Sequence, residues 1–199
     1  MSAAFFPPVT EAWKKAQVKD GDVPCTAFLE AAEAFIPLFD RLGTVFSPVK
    51  SDVGGNVTKL KAAHAKNPTA SLNKLILDEV AAGKTKDKTS ASIALLWFKR
   101  AMQFIFSMLK KVSAGEDANK AAKSAYDETL SHYHGFLVKK SFQVALMAAP
   151  GSDSMLKALG NDKDQTMREM QEWVSAASPI LDFIHEFLDK NNLDDKSKV

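Results

Sequence analysis

One cysteine, Cys25, stands in the 199 residues, so no disulfide can close within the chain. That excludes a disulfide-stapled scaffold and makes a reducing compartment the simple expectation. Long apolar runs are also missing: no stretch reads as the roughly 20 apolar residues of a membrane span. The opening Met1-Ser2-Ala3-Ala4-Phe5-Phe6-Pro7-Pro8 has neither a basic head nor a long apolar run, so a secretory signal is not expected there. Neither sign of charge dominates, with 26 Lys and Arg against 24 Asp and Glu, spread along the chain. Nucleic-acid binders usually show a clustered basic stripe, so that class is not expected. Histidine is scarce: His132 and His134 flank Tyr133, while His64 and His185 stand apart. No second cluster has ligand spacing, so neither a metal nor a cofactor is expected. Nucleophile signatures, Gly-rich phosphate loops and paired catalytic carboxylates are lacking, and no enzyme is expected.

What is present is helical periodicity. Phe28, Ala31, Phe35, Leu38 and Leu42 recur at three- and four-residue steps. Thr26 is the expected cap, Pro37 a kink, and Gly43 the stop. Further helices are expected after Pro48 to Lys66, from Ala70 to Ala82, Ser90 to Val112, Asp117 to Ser131, Gly135 to Ala149, Ser154 to Leu159, and Asp164 to Asn191. The Ser90–Val112 stretch is apolar on nearly all sides, as a central helix is. Strand alternation and internal repeats are absent. One domain over residues 1–199 is expected, with a core from about 25 to 191 and a loosely held polar tail at 192–199. Gly54-Gly55 sits oddly inside a helix, either for close backbone approach or as a tolerated weak spot.

Asp52, Asn56 and Lys59 fall at i, i+4 and i+7, so they project from one helix face. An acceptor-only carboxylate, a two-way amide and a donor-only ammonium suit a polyhydroxylated ligand. A polar stripe is, however, usually a solvated face. Trp97, read alone, is a core residue before it is a binding platform.

Five segments in order resemble the glycolipid transfer protein family. They are Phe39-Asp40-Arg41-Leu42-Gly43, Pro48-Val49-Lys50-Ser51-Asp52-Val53-Gly54-Gly55-Asn56-Val57-Thr58-Lys59-Leu60, Ala94-Leu95-Leu96-Trp97-Phe98-Lys99-Arg100, Tyr133-His134-Gly135-Phe136-Leu137-Val138 and Phe142-Gln143-Val144-Ala145-Leu146-Met147-Ala148-Ala149-Pro150. The resemblance implies an all-α, two-layer helical sandwich of about eight helices enclosing a lipid pocket. It implies that Asp52 accepts from a ceramide amide N–H and His134 donates to its C=O. Asn56 and Lys59 would bond sugar hydroxyls, and Trp97 would stack on the first sugar. Phe39, Ile93, Phe104, Leu130, Phe142 and Leu146 are the expected tunnel wall. Tyr126, Phe136, Leu137 and Lys140 are the expected membrane-docking group, with Phe5 and Phe6 in reserve. Animal members carry tryptophan where Phe136 stands, and an aromatic near the C-terminus where this chain reads Lys196-Ser197-Lys198-Val199.

The expected function is non-vesicular transfer of glycosphingolipids (glucosyl-, galactosyl- or lactosylceramide) between membranes. The carrier would be a cytoplasmic monomer that meets membrane surfaces transiently. The alternatives are a glycolipid sensor, a ceramide-1-phosphate carrier, or a helical scaffold with a decayed pocket. The ceramide-1-phosphate branch carries basic residues where Asn56 and Trp97 stand here, and a phosphate calls for such cations.

Overall fold

The computed structural model describes residues 4–199; the first three residues of the N-terminal segment lie outside the described residues. The helices are α1 (Phe6–Lys15), α2 (Cys25–Phe35), α3 (Pro37–Leu42), α4 (Ser47–Lys66), α5 (Leu72–Ala81), α6 (Ala91–Ser113), α7 (Ala118–Glu128), α8 (Phe136–Met147), α9 (Ser152–Leu159) and α10 (Lys163–Lys190). Short 3₁₀ turns, Thr44–Phe46 and Leu130–Tyr133, precede α4 and α8. Among the described residues the only β pairing is two isolated bridges, Lys19 with Asp22 and Pro24 with Ser71. The fold is the all-α, two-layer sandwich, with two helices beyond the eight expected stretches. One is α1; the other arises because the chain breaks at Ile36, so Pro37 opens α3 where its missing N–H costs nothing.

Local chemistry sets the helix ends. Ser71, Ser90, Asp117 and Asp162 each accept from a backbone N–H in the first turn of α5, α6, α7 and α10. Thr26 does not cap α2, which begins a residue earlier at Cys25. The start of α6 is held twice: the Glu79 carboxylate of α5 accepts from the backbone N–H of Ala91 and Ser92, each at 2.8 Å. Gly54 and Gly55 both lie inside α4, and a Cβ would meet only Ile36 at 4.0 Å from Gly54 and nothing from Gly55. No neighbouring protein atom therefore requires either glycine.

Helix α6 is the axis, packed against α4, α7 and α10. It is long and apolar enough to cross a membrane by length and composition, but 72% of its apolar stretch is buried inside the fold. By that measure α6 departs from the expected absence of a long apolar run; Lys99 and Arg100 interrupt its apolar sequence, and its burial is that of a core helix. An aromatic cluster fills the space between α1, α2 and α10. Trp173 stacks on Phe35 at 4.5 Å and 10°, and Trp13 meets Trp173 edge-on at 5.9 Å. Phe5 and Phe6 are buried in this core, so it starts well before residue 25 and neither side chain is a surface anchor.

Candidate functional site

On α4, Val53, Val57 and Leu60 are buried and fix the helix's rotation against its neighbours. That rotation leaves Asp52 exposed, Asn56 buried and Lys59 half-buried along one side. Asp52 is open to solvent, yet enough protein surrounds its carboxyl to raise its pKa; the Asn56 amide and the Lys59 charge pull the other way. Asn56 acts on that carboxyl without closing a hydrogen bond of normal geometry, so its Nδ2 is a buried donor with no partner. A buried polar group left unpaired is costly.

Along the packed helix α6, Trp97 is half-buried, not a core residue. Its indole lies nearly parallel to the His134 ring, at 16° and 6.4 Å between centroids. His134 is buried, and its Nδ1 lies 3.0 Å from the Tyr126 hydroxyl. Burial, then the Lys139 charge, lowers the His134 pKa, while burial and then Asp127 push Tyr126 up to about 12. Both shifts favour the uncharged forms, the neutral imidazole and the protonated phenol. The phenol can donate to Nδ1, an arrangement that places the imidazole proton on Nε2.

The same cluster joins this polar corner to the apolar interior. Tyr126 stacks on Phe142 at 4.5 Å, and Phe104 meets Phe142 edge-on at 5.6 Å. Phe39, Phe104, Leu130 and Leu146 are buried in the core and Phe142 packs half-buried against it. Ile93 departs from the expected tunnel wall: it is half-exposed and outside that cluster, because it faces the same side of α6 as Trp97, one turn away. Leu146 lines two openings beside α8. One is an almost wholly apolar crevice of about 180 Å³ shared with Val45, Phe46, Val49 and Phe142. The other is a groove of about 480 Å³ against Asn119, Lys120 and Lys123 of α7.

Of the docking group, Phe136 is 71% exposed and Leu137 78%, with the exposed Lys140 ammonium 4.9 Å over the Phe136 ring. Val144 and Met147 extend this apolar surface along α8. Tyr126 does not belong to it. It is fully buried on the face of α7 that also carries Ala118, Ala122 and Ala125, and it serves His134 instead.

The tail is not loose. Arg100 donates to Asp194 Oδ1 at 2.9 Å and also to the Asp195 carbonyl. Val199 donates its N–H to Tyr133 O at 3.0 Å and accepts from Gly135 N–H at 2.7 Å, so the chain's last residue brackets His134. Two cations inside the most apolar helix were the sequence signal for such a strap, since buried charge needs a partner. Among the described residues no cluster of three His, Cys, Asp or Glu is placed to hold a metal ion.

Residues 23–161 match the glycolipid transfer protein (GLTP) family. The chain belongs to the glycolipid transfer protein family. It is 34% identical over 189 residues to a glycolipid transfer protein of Aureobasidium melanogenum, covering 92% of each chain. It is 34% identical to that of Danio rerio, covering 90% of this chain and 93% of the relative. A human relative, pleckstrin homology domain-containing family A member 8, is 39% identical over 146 residues, of which they make up 28%. Among solved structures, FAPP2, described as selecting simple glycosphingolipids using the GLTP fold, superposes with a TM-score of 0.89 at 31% identity, covering 98% of this chain and 99% of that one. The fungal glycolipid transfer protein HET-C2 superposes at 0.83 with 29% identity, covering 94% and 97%. As a member of the glycolipid transfer protein family, the chain is a lipid-transfer protein of all-α fold.

Proposed function

We propose that this glycolipid transfer protein grips a glycosphingolipid through Asp52, Asn56, Lys59, Trp97 and His134, and houses its chains along the Phe39, Phe104, Leu130, Phe142 and Leu146 interior. The observation that carries this reading is the orphaned Nδ2 of Asn56 beside Asp52, one helix over from a half-open Trp97. A sugar hydroxyl satisfies that amide, and the indole gives the sugar ring a flat apolar face. Asp52, as a carboxylate, accepts from an amide N–H, which a ceramide offers and a glycerolipid ester does not. A glycerolipid leaves that acceptor unpaired at a cost of about 1–3 kcal/mol. His134, protonated on Nε2, donates to the amide carbonyl. No covalent step is needed, and the protein acts as a carrier, not an enzyme, working from the cytosolic side of membranes. The test is transfer of glucosylceramide between phosphatidylcholine vesicles; no transfer above the spontaneous rate contradicts the reading.

The chains need room between the helical layers, and each buried methylene is worth about 0.8 kcal/mol once inside. Helix α8 is the wall best placed to give way, since Leu146 is its one buried residue.

Tyr126→Phe checks the role of the phenol. Removing the hydroxyl leaves Nδ1 unpaired and releases the tautomer, so glucosylceramide transfer falls by roughly fivefold, about 1 kcal/mol. Nitrogen NMR of His134 then shows a mixed tautomer; an unchanged rate and spectrum would remove Tyr126 from the site.

Docking is assigned to Phe136, Leu137 and Lys140. Phe136→Ala is expected to weaken vesicle cosedimentation by about tenfold, from loss of apolar burial at the lipid surface. Melting temperature should hold, because the ring packs little in the fold. Intact vesicle binding with a large drop in melting temperature would make Phe136 a core residue.

A further inference from the structure

Behind the Trp97 platform lies a buried ion cluster that head-group recognition does not explain. Arg100 and Lys99 each keep 1% of their side-chain surface, and the Asp194 carboxylate between them keeps 2%. Arg100 pairs with Asp194 Oδ1 at 2.9 Å, Lys99 Nζ lies 3.8 Å from the same oxygen, and Lys196 closes on the other. Lys99 is also 3.3 Å from His185 Nδ1. The guanidinium is covered on its faces, 3.5 Å from the Tyr133 ring centroid and 5.0 Å from that of Trp97. Its Nε has no hydrogen-bond partner. One carboxylate thus answers three cations, directly beneath the surface on which the head group rests.

This arrangement bears on which head groups are accepted. A phosphate monoester needs several cationic donors, and a planar guanidinium fork is the best of them. Here the fork lies one turn from Trp97, but its NH2 group is committed to the tail. We propose that Asp194 determines head-group specificity: by closing Arg100 into an ion pair beneath Trp97, the C-terminal strap denies a phosphate-headed sphingolipid its guanidinium and reserves the platform for neutral sugars. A phosphate would have to displace Asp194 and strand it in a buried position, which is unfavourable. Burial works to raise the Asp194 pKa, but Lys196, Lys99 and Arg100 outweigh it and hold the carboxyl below its usual range. The inference rests on the head-group reading above.

The test measures transfer of ceramide-1-phosphate and glucosylceramide from phosphatidylcholine vesicles and takes their ratio. Asp194→Asn keeps the shape and removes the charge, and should raise the ceramide-1-phosphate to glucosylceramide ratio at least tenfold. Adding Arg100→Gln to that variant should return the ratio to the wild-type value, which a general loosening of the tail would not do. Asp194→Glu, which retains the charge, should keep the ratio low. Should Asp194→Asn fail to fold by circular dichroism, Lys99→Met/Asp194→Asn relieves the repulsion between the buried cations and carries the same readout. A folded variant with an unchanged ratio, or a gain that survives Arg100→Gln, overturns the proposal. Failure of the wild-type protein to move glucosylceramide strikes the head-group reading itself. An active wild type with a flat ratio strikes this inference alone.

Discussion

Asp52→Val should bring glucosylceramide transfer close to background, a fall of roughly 10- to 150-fold, the range set by losing one hydrogen bond to a charged group. The fold should barely notice. Asp52 is exposed, makes no ion pair within 4 Å and caps no helix, so the stability change should stay within about 0.5 kcal/mol. The two readouts pull apart two roles. A carboxylate that serves the ligand takes transfer away and leaves the melting temperature; one that serves α4 does the reverse. Because burial already disfavours its charged form, the protein gains nothing structural from keeping an acid at this position, which is what a ligand group looks like. Normal transfer by a folded Asp52→Val protein would remove the residue from the head-group site.

The largest stability effect is expected in the aromatic cluster between α1, α2 and α10. Trp173→Ala empties a fully buried site between Phe35, Trp13, Phe6 and Phe106. Truncation of a buried tryptophan costs about 3–5 kcal/mol, or roughly 6–20 °C of melting temperature for a chain of this size. Trp97→Ala is the matched contrast. It removes a half-open ring, so it should cost most of the transfer and little of the stability. If Trp97→Ala were the more destabilising of the two in thermal unfolding, Trp97 would be a core residue and the stacking role would fall.

The parts of the fold legible in the sequence are those that local periodicity writes out. The eight helical stretches follow from three- and four-residue apolar steps, and the central place of α6 from its apolar circumference. Helix α1 was not among the expected stretches, which begin with the Phe28 run. Pro7 and Pro8 sit in its first turn, where the ring is tolerated, and Phe6, Val9, Thr10 and Trp13 form the buried stripe behind them. At the site, the Asp52, Asn56 and Lys59 stripe was legible because its spacing is helical. Tyr126 entered the docking group through the resemblance alone. The i, i+4, i+8 run Ala118, Ala122, Tyr126 already put it on the face of α7 that turns inward. The tail could not be read locally at all. Asp194 looks like any solvated acid until α10 carries it back against Lys99 and Arg100, a pairing made by tertiary packing and written in no spacing.

The placement of the three tryptophans, all among the described residues, also decides how the protein looks in a fluorimeter. Trp13 and Trp173 are buried against one another in a dry aromatic cluster, so their emission is blue-shifted and stays constant while the fold is intact. Trp97 alone reaches solvent beside His134. Any change in intrinsic emission when a lipid is added therefore reports on the one indole at the platform, over a fixed background from the other two. Trp97→Phe makes the protein optically silent to its ligand without blinding it to unfolding.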